Sequence, residues 1–312
     1  MTRVRMALAV GCLALIPLGA RAAEPETPWY VTLQGGFTQV GNDDLLLGTP
    51  ASPTTGGPSG ELATIGFDPE ASLRIGFGYS GPDWDWELAA WRLEAQSNET
   101  VTSADGLLPA FSDPLFGDTL ANRLDGEAEL DATVVDCAWG RRLGSTARSH
   151  WTWVVGLRSS RIAQDSTMTS DADGAGGFDD RVKISSTARG VGVVGGIAVR
   201  YLWSDRVWGT SSLRLALLTG SLDVERSEDA FGDLLVTRLD GADRTFRQGE
   251  LDVRANFRVA HHLVLFAGYE FRLYDGGVAR LVPTDDVANG VLVEEAADVG
   301  FSGLAAGVTF EF

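Results

Sequence analysis

The carboxyl-terminal segment alternates strictly between apolar and polar or small side chains and ends on an aromatic residue. One face carries Leu304, Ala306, Val308, Phe310 and Phe312. The other face carries Gly303, Ala305, Gly307, Thr309 and Glu311. A strand with this pattern separates hydrocarbon from a polar interior, as the strands of a transmembrane barrel do. We therefore expect a closing barrel strand, in which Phe310 and Phe312 form the assembly signal.

The amino-terminal segment has the organisation of an export signal. Arg3 and Arg5 precede an apolar run over residues 6–18, and Ala20 and Ala22 supply the small residues that a signal peptidase reads. The run is too short to cross a bilayer as a helix. The sequence thus predicts a signal peptide over residues 1–22 and a barrel over residues 23–312. A lipoprotein attached through Cys12 is the alternative.

Cysteine usage bears on how such a barrel is stabilised. Removal of the signal would leave Cys137 as the only cysteine. A single cysteine cannot form an internal disulfide, so stability would come from a closed ladder of backbone hydrogen bonds.

Ten segments combine alternation with enough length to cross a membrane at a tilt. They cover residues 28–40, 70–79, 84–95, 126–142, 151–164, 183–203, 207–222, 246–258, 263–274 and 299–312. The connections between them alternate between long and short, as in outer-membrane barrels with short periplasmic turns and long extracellular loops. This asymmetry favours an all-β, up-and-down antiparallel transmembrane barrel of ten strands over a soluble β-sandwich or soluble barrel. Twelve strands are the alternative, if residues 62–67 or 233–239 form additional strands.

The five long connections are strongly acidic. They cover residues 41–69, 96–125, 165–182, 223–245 and 275–298. Together they contain 27 acidic and 6 basic residues, so the net negative charge of the mature chain is concentrated there. An acidic rim argues against a nucleic-acid partner and against an anion-collecting mouth. The solubility of exposed loops is sufficient to explain it.

Part of the third long connection has the oxygen density of a calcium loop. Residues 171–180 contain four aspartates but lack the proper spacing and the final bidentate glutamate. We therefore expect no metal and no other cofactor, with calcium binding here as the open alternative.

Charged side chains share the strand face opposite the apolar residues, which predicts that they line the lumen. The predicted lumen-facing residues are Arg74, Glu87, Glu129, Asp131, Arg158, Arg214, Glu250, Asp252, Arg254, Glu270 and Arg272. Arg254 should lie opposite or diagonal to Glu270 and pair with it. The pattern changes phase near residues 89–90 and 134–135, which predicts two β-bulges or misplaced strand boundaries.

Tryptophan and tyrosine residues cluster near the strand ends that are joined by short turns or lie at the termini. They are Trp29, Tyr30, Tyr79, Trp84, Trp86, Trp139, Trp151, Trp153, Tyr201, Trp203 and Trp208. Rings at the headgroup level anchor barrels vertically, so we expect an aromatic belt here.

The histidines give no indication of catalysis. His150, His261 and His262 all fall at predicted short turns, and none has a serine or carboxylate at a catalytic spacing. We therefore expect no enzyme site.

Three segments resemble strands of a known family. Residues 130–142, 153–158 and 298–312 are similar to strands of the pore-forming outer-membrane protein family typified by the Legionella major outer membrane protein. The similarity lies in barrel-strand patterns over about the last two-thirds of the chain. It implies a pore or surface protein without an enzyme site.

The combined expectation is an outer-membrane protein that works as a small porin-like channel, with both termini in the periplasm. About eight strands leave a lumen filled by side chains and about sixteen leave a water channel, so ten strands predict a narrow path. A closed barrel acting as a structural anchor or surface adhesin is the alternative. The expected partners are outer-membrane lipid, the barrel-assembly machinery and, for a channel, small solutes or ions. The sequence specifies neither the solute nor the oligomeric state.

Overall fold

The computed structural model describes residues 29–41, 45–51, 62–111, 120–172, 180–230, 233–283 and 292–312. Among these residues, no helix is long and apolar enough to cross a membrane. The predicted signal peptide, residues 1–22, lies outside the described residues, as do residues 173–179 of the proposed calcium loop.

Twelve strands follow one another along the described chain. They are β1 Trp29–Gly41, β2 Leu46–Pro50, β3 Ala63–Thr64, β4 Glu70–Ser80, β5 Trp84–Pro109, β6 Ala121–Ser145, β7 Ser149–Asp171, β8 Asp180–Leu202, β9 Val207–Ala230, β10 Asp233–Ala260, β11 Leu263–Pro283 and β12 Leu292–Glu311. All except β2 and β3 pair antiparallel in one ring. β1 pairs with β12, from Tyr30 opposite Glu311 to Gly41 opposite Gly300, and this pairing closes the ring. The predicted ten-stranded antiparallel barrel is confirmed.

An apolar belt surrounds the barrel near the end where the short turns lie, here called the short-turn end. On β8 the exposed side chains of Val191, Val193 and Ile197 follow one another along the outer face. The neighbouring strands present Leu157, Leu213, Leu215, Leu251, Val253, Leu265, Tyr269 and Leu304 at similar positions. The belt covers about ten residues of each strand, which is the length needed to cross the hydrocarbon core of a bilayer.

The strands continue far beyond the belt on the other side, here called the far end. β10 contains 28 residues, whereas about 9–11 residues cross a bilayer. Much of the sequence predicted as loops at 96–125, 165–182, 223–245 and 275–298 is therefore strand. The prediction was wrong there because strands above a membrane face water on the outside and can carry many Asp, Ser, Thr and Gly residues.

The two faces of each long strand exchange polarity where the strand leaves the belt. On β5, Glu87 points inward and Leu88 outward within the belt, but beyond it Leu93 is buried and Glu94 is exposed. The pairing of β5 with β6 runs without a shift from Trp84 to Thr102, and that of β6 with β7 from Arg123 to Arg142. The predicted phase changes near residues 89–90 and 134–135 are therefore neither bulges nor boundary errors. They mark the level at which the outer solvent changes from lipid to water.

This exchange corrects two of the predicted lumen residues. Glu129 and Asp131 lie on the outer face of β6, where they alternate with the buried Ala128, Leu130 and Ala132. Asp131 accepts a hydrogen bond from Arg92 at 3.1 Å, and its carboxylate lies 3.5 Å from the exposed Arg161 guanidinium. Both acids were predicted to face the lumen because the apolar-out rule was extended above the membrane, where it no longer applies.

A plug formed by other parts of the chain fills the interior beyond the belt. It consists of residues 45–51, which include β2, residues 63–67, which include β3, and residues 107–111. They are held together by the pairing of β2 with β3 and with β5. Leu47 and Ile65 of this plug are completely buried. A Cβ atom added to Gly126 on β6 would lie 2.5 Å from Cδ1 of Ile65, so the plug packs directly against the inner wall. Phe111 reaches β9, where its carbonyl oxygen accepts a 2.6 Å hydrogen bond from Arg226.

The two candidate additional strands have different outcomes. Residues 62–67 contain β3, which belongs to the plug. Residues 233–239 begin β10 and are part of the barrel wall.

The barrel wall is shorter at β1 and β4 than at the other strands, and this part is here called the low side of the wall. β1 ends at Gly41, opposite Gly300, whereas β12 begins earlier, at Leu292. β4 pairs with β5 only as far as Leu93, whereas β5 continues to Pro109. β2 and β3 of the plug lie in the connection between β1 and β4, the two strands at the low side of the wall.

Candidate functional site

Ten charged residues meet inside the barrel at the level of the apolar belt. They are Arg74, Glu87, Asp136, Arg158, Arg214, Glu250, Asp252, Arg254, Glu270 and Arg272, here called the charged network. Strand alternation directs them inward, because outward neighbours such as Leu88, Leu157 and Leu251 belong to the belt. Five of the ten are arginines and five are carboxylates, so the network is formally neutral.

Arg158 lies at the centre of the charged network, and its side chain is fully buried. Its Nε and Nη2 atoms donate to both carboxylate oxygens of Asp136, at 2.6 and 2.7 Å. The same Nη2 donates to Glu250 at 2.7 Å, and Nη1 donates to Gln248 at 3.3 Å. Gln248 in turn donates to Ser160 at 2.8 Å. One guanidinium thus joins β6, β7 and β10.

Arg214 extends the network across the lumen. It lies opposite Gly196 on β8, which has no side chain to compete for the inner face there. Its Nη2 donates to Glu87 on β5 at 3.1 Å, and its Nη1 lies 3.8 Å from Asp136. Arg74 donates to the other oxygen of Glu87 at 3.4 Å. The charges of β4, β5, β6 and β9 are therefore connected.

The remaining side of the network is formed by β10 and β11. Arg254 lies diagonal to Glu270 and donates to it at 3.0 Å, while its Nε donates to Asp252 at 2.9 Å. Arg272 donates to Glu250 at 2.9 Å and to Glu270 at 3.5 Å. Every charged group in the network therefore has an oppositely charged partner within the belt.

The network can block the lumen but cannot select one sign of ion. An unpaired charge held away from water is costly, so these groups stabilise one another in pairs. Ion filters are instead built from rings of one charge sign. The arrangement is a neutral cross-linked layer that ties opposite walls of the barrel together.

The structure places nine of the eleven predicted lumen residues in this network. It adds Asp136, which the sequence analysis did not select. Asp136 lies between Val134 and Ala138 on the inner face of β6 and is buried. Its alternation with the outward Val135 and Cys137 indicates an inward position. The sequence analysis did not use this alternation, because it placed a phase change near residues 134–135.

An aromatic layer separates the charged network from the plug. The rings of Trp91 and Phe301 meet edge to face at 5.4 Å, and Tyr274 meets Phe301 at the same distance. The Arg272 guanidinium lies 4.3 Å from the centre of the Trp91 ring. The aromatic layer thus packs on the network below it and on the buried leucines above it.

Open space remains on the short-turn side of the network. A cavity of about 200 Å³ is lined by residues that include Arg74, Thr152, Arg200 and Arg214. A neighbouring cavity of about 230 Å³ is lined by residues that include Tyr30, Asp85 and Thr152.

Two aromatic residues predicted for the outer belt lie inside this end of the barrel. Trp208 is buried and contacts Arg200, whose guanidinium lies 4.4 Å from the ring centre. Tyr30 lies against Gly78 on the inner face. Outer-belt residues such as Trp29 and Tyr79, whose rings meet edge to face at 5.2 Å, follow the prediction.

The three histidines lie at the short-turn end. His150 lines the 200 Å³ cavity, and His261 and His262 form the turn between β10 and β11. Among the described residues, no group of three or more His, Cys, Asp or Glu side chains could hold a metal ion.

The carboxyl terminus lies at the seam of the ring. The exposed side chains of Phe310 and Phe312 point outward, at the same end as the aromatic cluster around Trp29. The backbone of Phe312 exchanges two hydrogen bonds with Trp29, at 2.9 and 3.3 Å.

Comparisons with known proteins support the fold. No protein-family model matches the chain, and no curated protein sequence matches it. The resemblance to the Legionella-type family therefore remains a prediction. Solved structures that match include the outer membrane protease OmpT of Escherichia coli, with a TM-score of 0.52, 10% identity and coverage of 92% of this chain and 97% of that chain. The toluene transporter TodX of Pseudomonas putida (0.39, 11%, 92% and 89%) and Neisserial surface protein A (0.31, 12%, 91% and 97%) also match. At this identity the OmpT match shows fold alone, and that fold is the outer-membrane β-barrel.

Proposed function

We propose that this chain is a closed outer-membrane barrel that serves as a membrane-anchored surface protein. The observation that carries this proposal is the filling of the lumen at successive levels. The charged network joins opposite walls within the belt, and the aromatic layer and the plug occupy the interior beyond it. A solute moving along the barrel axis would have to displace all three.

A small porin-like channel is the second candidate function. The two cavities of about 200 and 230 Å³ favour it, since they provide polar space at the short-turn end. Residues of the charged network line both cavities, but Arg158 at the centre of the network is fully buried and lines neither cavity. We therefore expect water and small ions to enter this end without crossing the barrel.

A conductance measurement distinguishes the two functions. We expect the refolded protein to give no conductance steps in a planar lipid bilayer. The Arg254→Ala, Glu270→Ala double variant should also be silent, because the aromatic layer and plug remain in place. Steady single-channel conductance of the unmodified protein would contradict the closed barrel. Conductance in the double variant alone would show that the charged network is the sole seal.

The proposed orientation places the short turns and both termini in the periplasm and the far end outside the cell. The far end supports this, because residues 223–230 of β9 lie in the extended part of the wall and direct Asp223, Glu225 and Asp229 outward. Such a surface suits water and not lipid. Partners of an anchor or adhesin would therefore bind at the far end.

Protease accessibility tests this orientation. A broad-specificity protease added to intact cells should cut at the far end of the barrel and leave the turn at His261 intact. Disrupting the outer membrane should make that turn accessible, which serves as the control. Cleavage at His261 in intact cells would show that the barrel is inverted.

We also propose that the protein acts without an enzyme site. This rests on the positions of the three histidines at the short-turn end, away from the proposed outer surface. The charged network offers no obvious nucleophile and base, because its carboxylates are engaged by arginines.

A further inference from the structure

Two arginines face each other on the outer surface where the apolar belt ends. Arg161 on β7 is paired directly opposite Arg189 on β8, and both side chains are exposed. The next outward pairs toward the short-turn end are Ser159 with Val191 and then Leu157 with Val193. The arginine pair therefore lies at the boundary between the hydrocarbon-facing and water-facing parts of the wall.

This pair has more positive charge than its neighbours neutralise. Arg161 lies 3.5 Å from Asp131, but the same carboxylate accepts a hydrogen bond from Arg92 at 3.1 Å. In the described part of the chain, no ion pair joins Arg189 to an acidic residue. Like charges placed directly opposite on neighbouring strands destabilise a sheet. An anion placed between the two guanidinium groups would remove this repulsion.

The surroundings of Arg189 contain few competing acids at its own level. Its partner on β9 is Ser221, and Thr187 precedes it on the outer face of β8. Asp223 lies opposite Thr187, one outward position farther from the belt, and one of its carboxylate oxygens accepts a 2.7 Å hydrogen bond from the Gly241 backbone. Asp165 lies farther still, opposite Ser185. Asp243 on β10 lies at the same level, opposite Ser221 and two strands away from Arg189. The nearer acids lie on the water side of the pair, and the apolar residues lie on the other side.

We propose that Arg161 and Arg189 bind the phosphate group of an anionic lipid in the outer leaflet of the membrane. Placement in the outer leaflet rests on the orientation given under the proposed function. Guanidinium groups match phosphate oxygens in bidentate geometry. Basic side chains at the headgroup level attract anionic lipid, and the acyl chains of that lipid would lie along Leu157 and Val193. This column of apolar side chains directly beneath the arginines favours a lipid over a soluble anion.

The test uses the full-length mature protein in a neutral detergent and fluorescently labelled lipopolysaccharide, a phosphorylated lipid, as the probe. Binding is followed by fluorescence anisotropy for the unmodified protein and for the Arg161→Gln, Arg189→Gln double variant. The matched control is Arg123→Gln with Arg238→Gln, which removes two exposed positive charges from positions beyond the belt that pair with Asp125 and Glu225. Heat-modifiable mobility verifies that each variant is folded.

We expect the Kd of the first double variant to rise about 30-fold, since each arginine near a charged lipid surface contributes about fivefold. The control should change by less than about threefold. Replacing both arginines by lysine should restore part of the affinity, because the charge is kept and the bidentate geometry is lost.

Three results would overturn the proposal. They are an unchanged affinity in the Arg161, Arg189 double variant, an equal loss in the control, and displacement of the lipid by millimolar inorganic phosphate, which would indicate a site for a soluble anion. None of them depends on whether the barrel conducts or how it is oriented in cells. A failure of the lipid site is thus separate from a failure of the proposed function.

Discussion

Replacing Arg158 with methionine is expected to lower the free energy of unfolding by about 3–5 kcal/mol. The substitution removes the partner that Asp136 contacts at 2.6 and 2.7 Å and one of the two arginines that bind Glu250. Both carboxylates would remain buried with an incomplete set of donors. Urea unfolding in lipid vesicles, followed by tryptophan fluorescence, measures the change.

Arg161→Met is the matched control for this prediction. Arg161 lies three residues farther along the same strand, but its side chain is about half exposed, with an exposed fraction of 48%. Its loss should cost less than about 1 kcal/mol, as is usual for surface ion pairs. Adding Asp136→Leu to Arg158→Met should recover part of the lost stability, since it removes one of the two buried carboxylates that lost a guanidinium partner. Equal effects of the two single substitutions would show that the charged network does not stabilise the barrel.

Replacing Leu47 with aspartate should release the plug from the barrel. Leu47 is completely buried, so an ionised carboxylate at this position could be hydrated only if the plug opens. The Ile65 amide, which donates to the Leu45 carbonyl at 2.8 Å, reports on this opening. Its hydrogen exchange should accelerate at least about 100-fold, because local opening governs exchange at such sites.

Leu234→Asp provides the corresponding control, since Leu234 on β10 is 69% exposed. The same chemical change there should leave the exchange rate of Ile65 unaltered. If Leu47→Asp also left that rate unchanged, residues 45–51 and 63–67 would not be held by their apolar contacts, and the closed barrel would lose one of its seals.

The sequence predicted the part of the fold that lies within the membrane belt. There, lipid outside and a polar layer inside impose one repeating rule, so the inward positions of Arg254, Glu270 and Arg272 could be read from alternation alone. The diagonal pairing of Arg254 with Glu270 followed from the short turn beside them, because that turn limits the register.

The part beyond the belt could not be predicted by the same rule. The outer surface there meets water and the interior meets the plug, so Leu130 points inward and Glu129 outward. The plug could not be predicted either, because β2 has five residues and β3 only two, which is too short for a clear alternation of apolar and polar residues. Contacts between residues distant in sequence, such as that of Arg226 with the Phe111 carbonyl, do not produce a periodic pattern of residue types from which they could be predicted.

The low side of the wall above β1 and β4 has an evolutionary consequence. The eight tall strands are joined edge to edge, so an insertion within one of them would break at least one hydrogen-bond ladder of the ring. The connection from β1 to β4 passes through the low side, and lengthening it breaks no ladder of the ring. We therefore expect homologous chains to differ most in length and composition between residues 51 and 62, while the barrel stays unchanged.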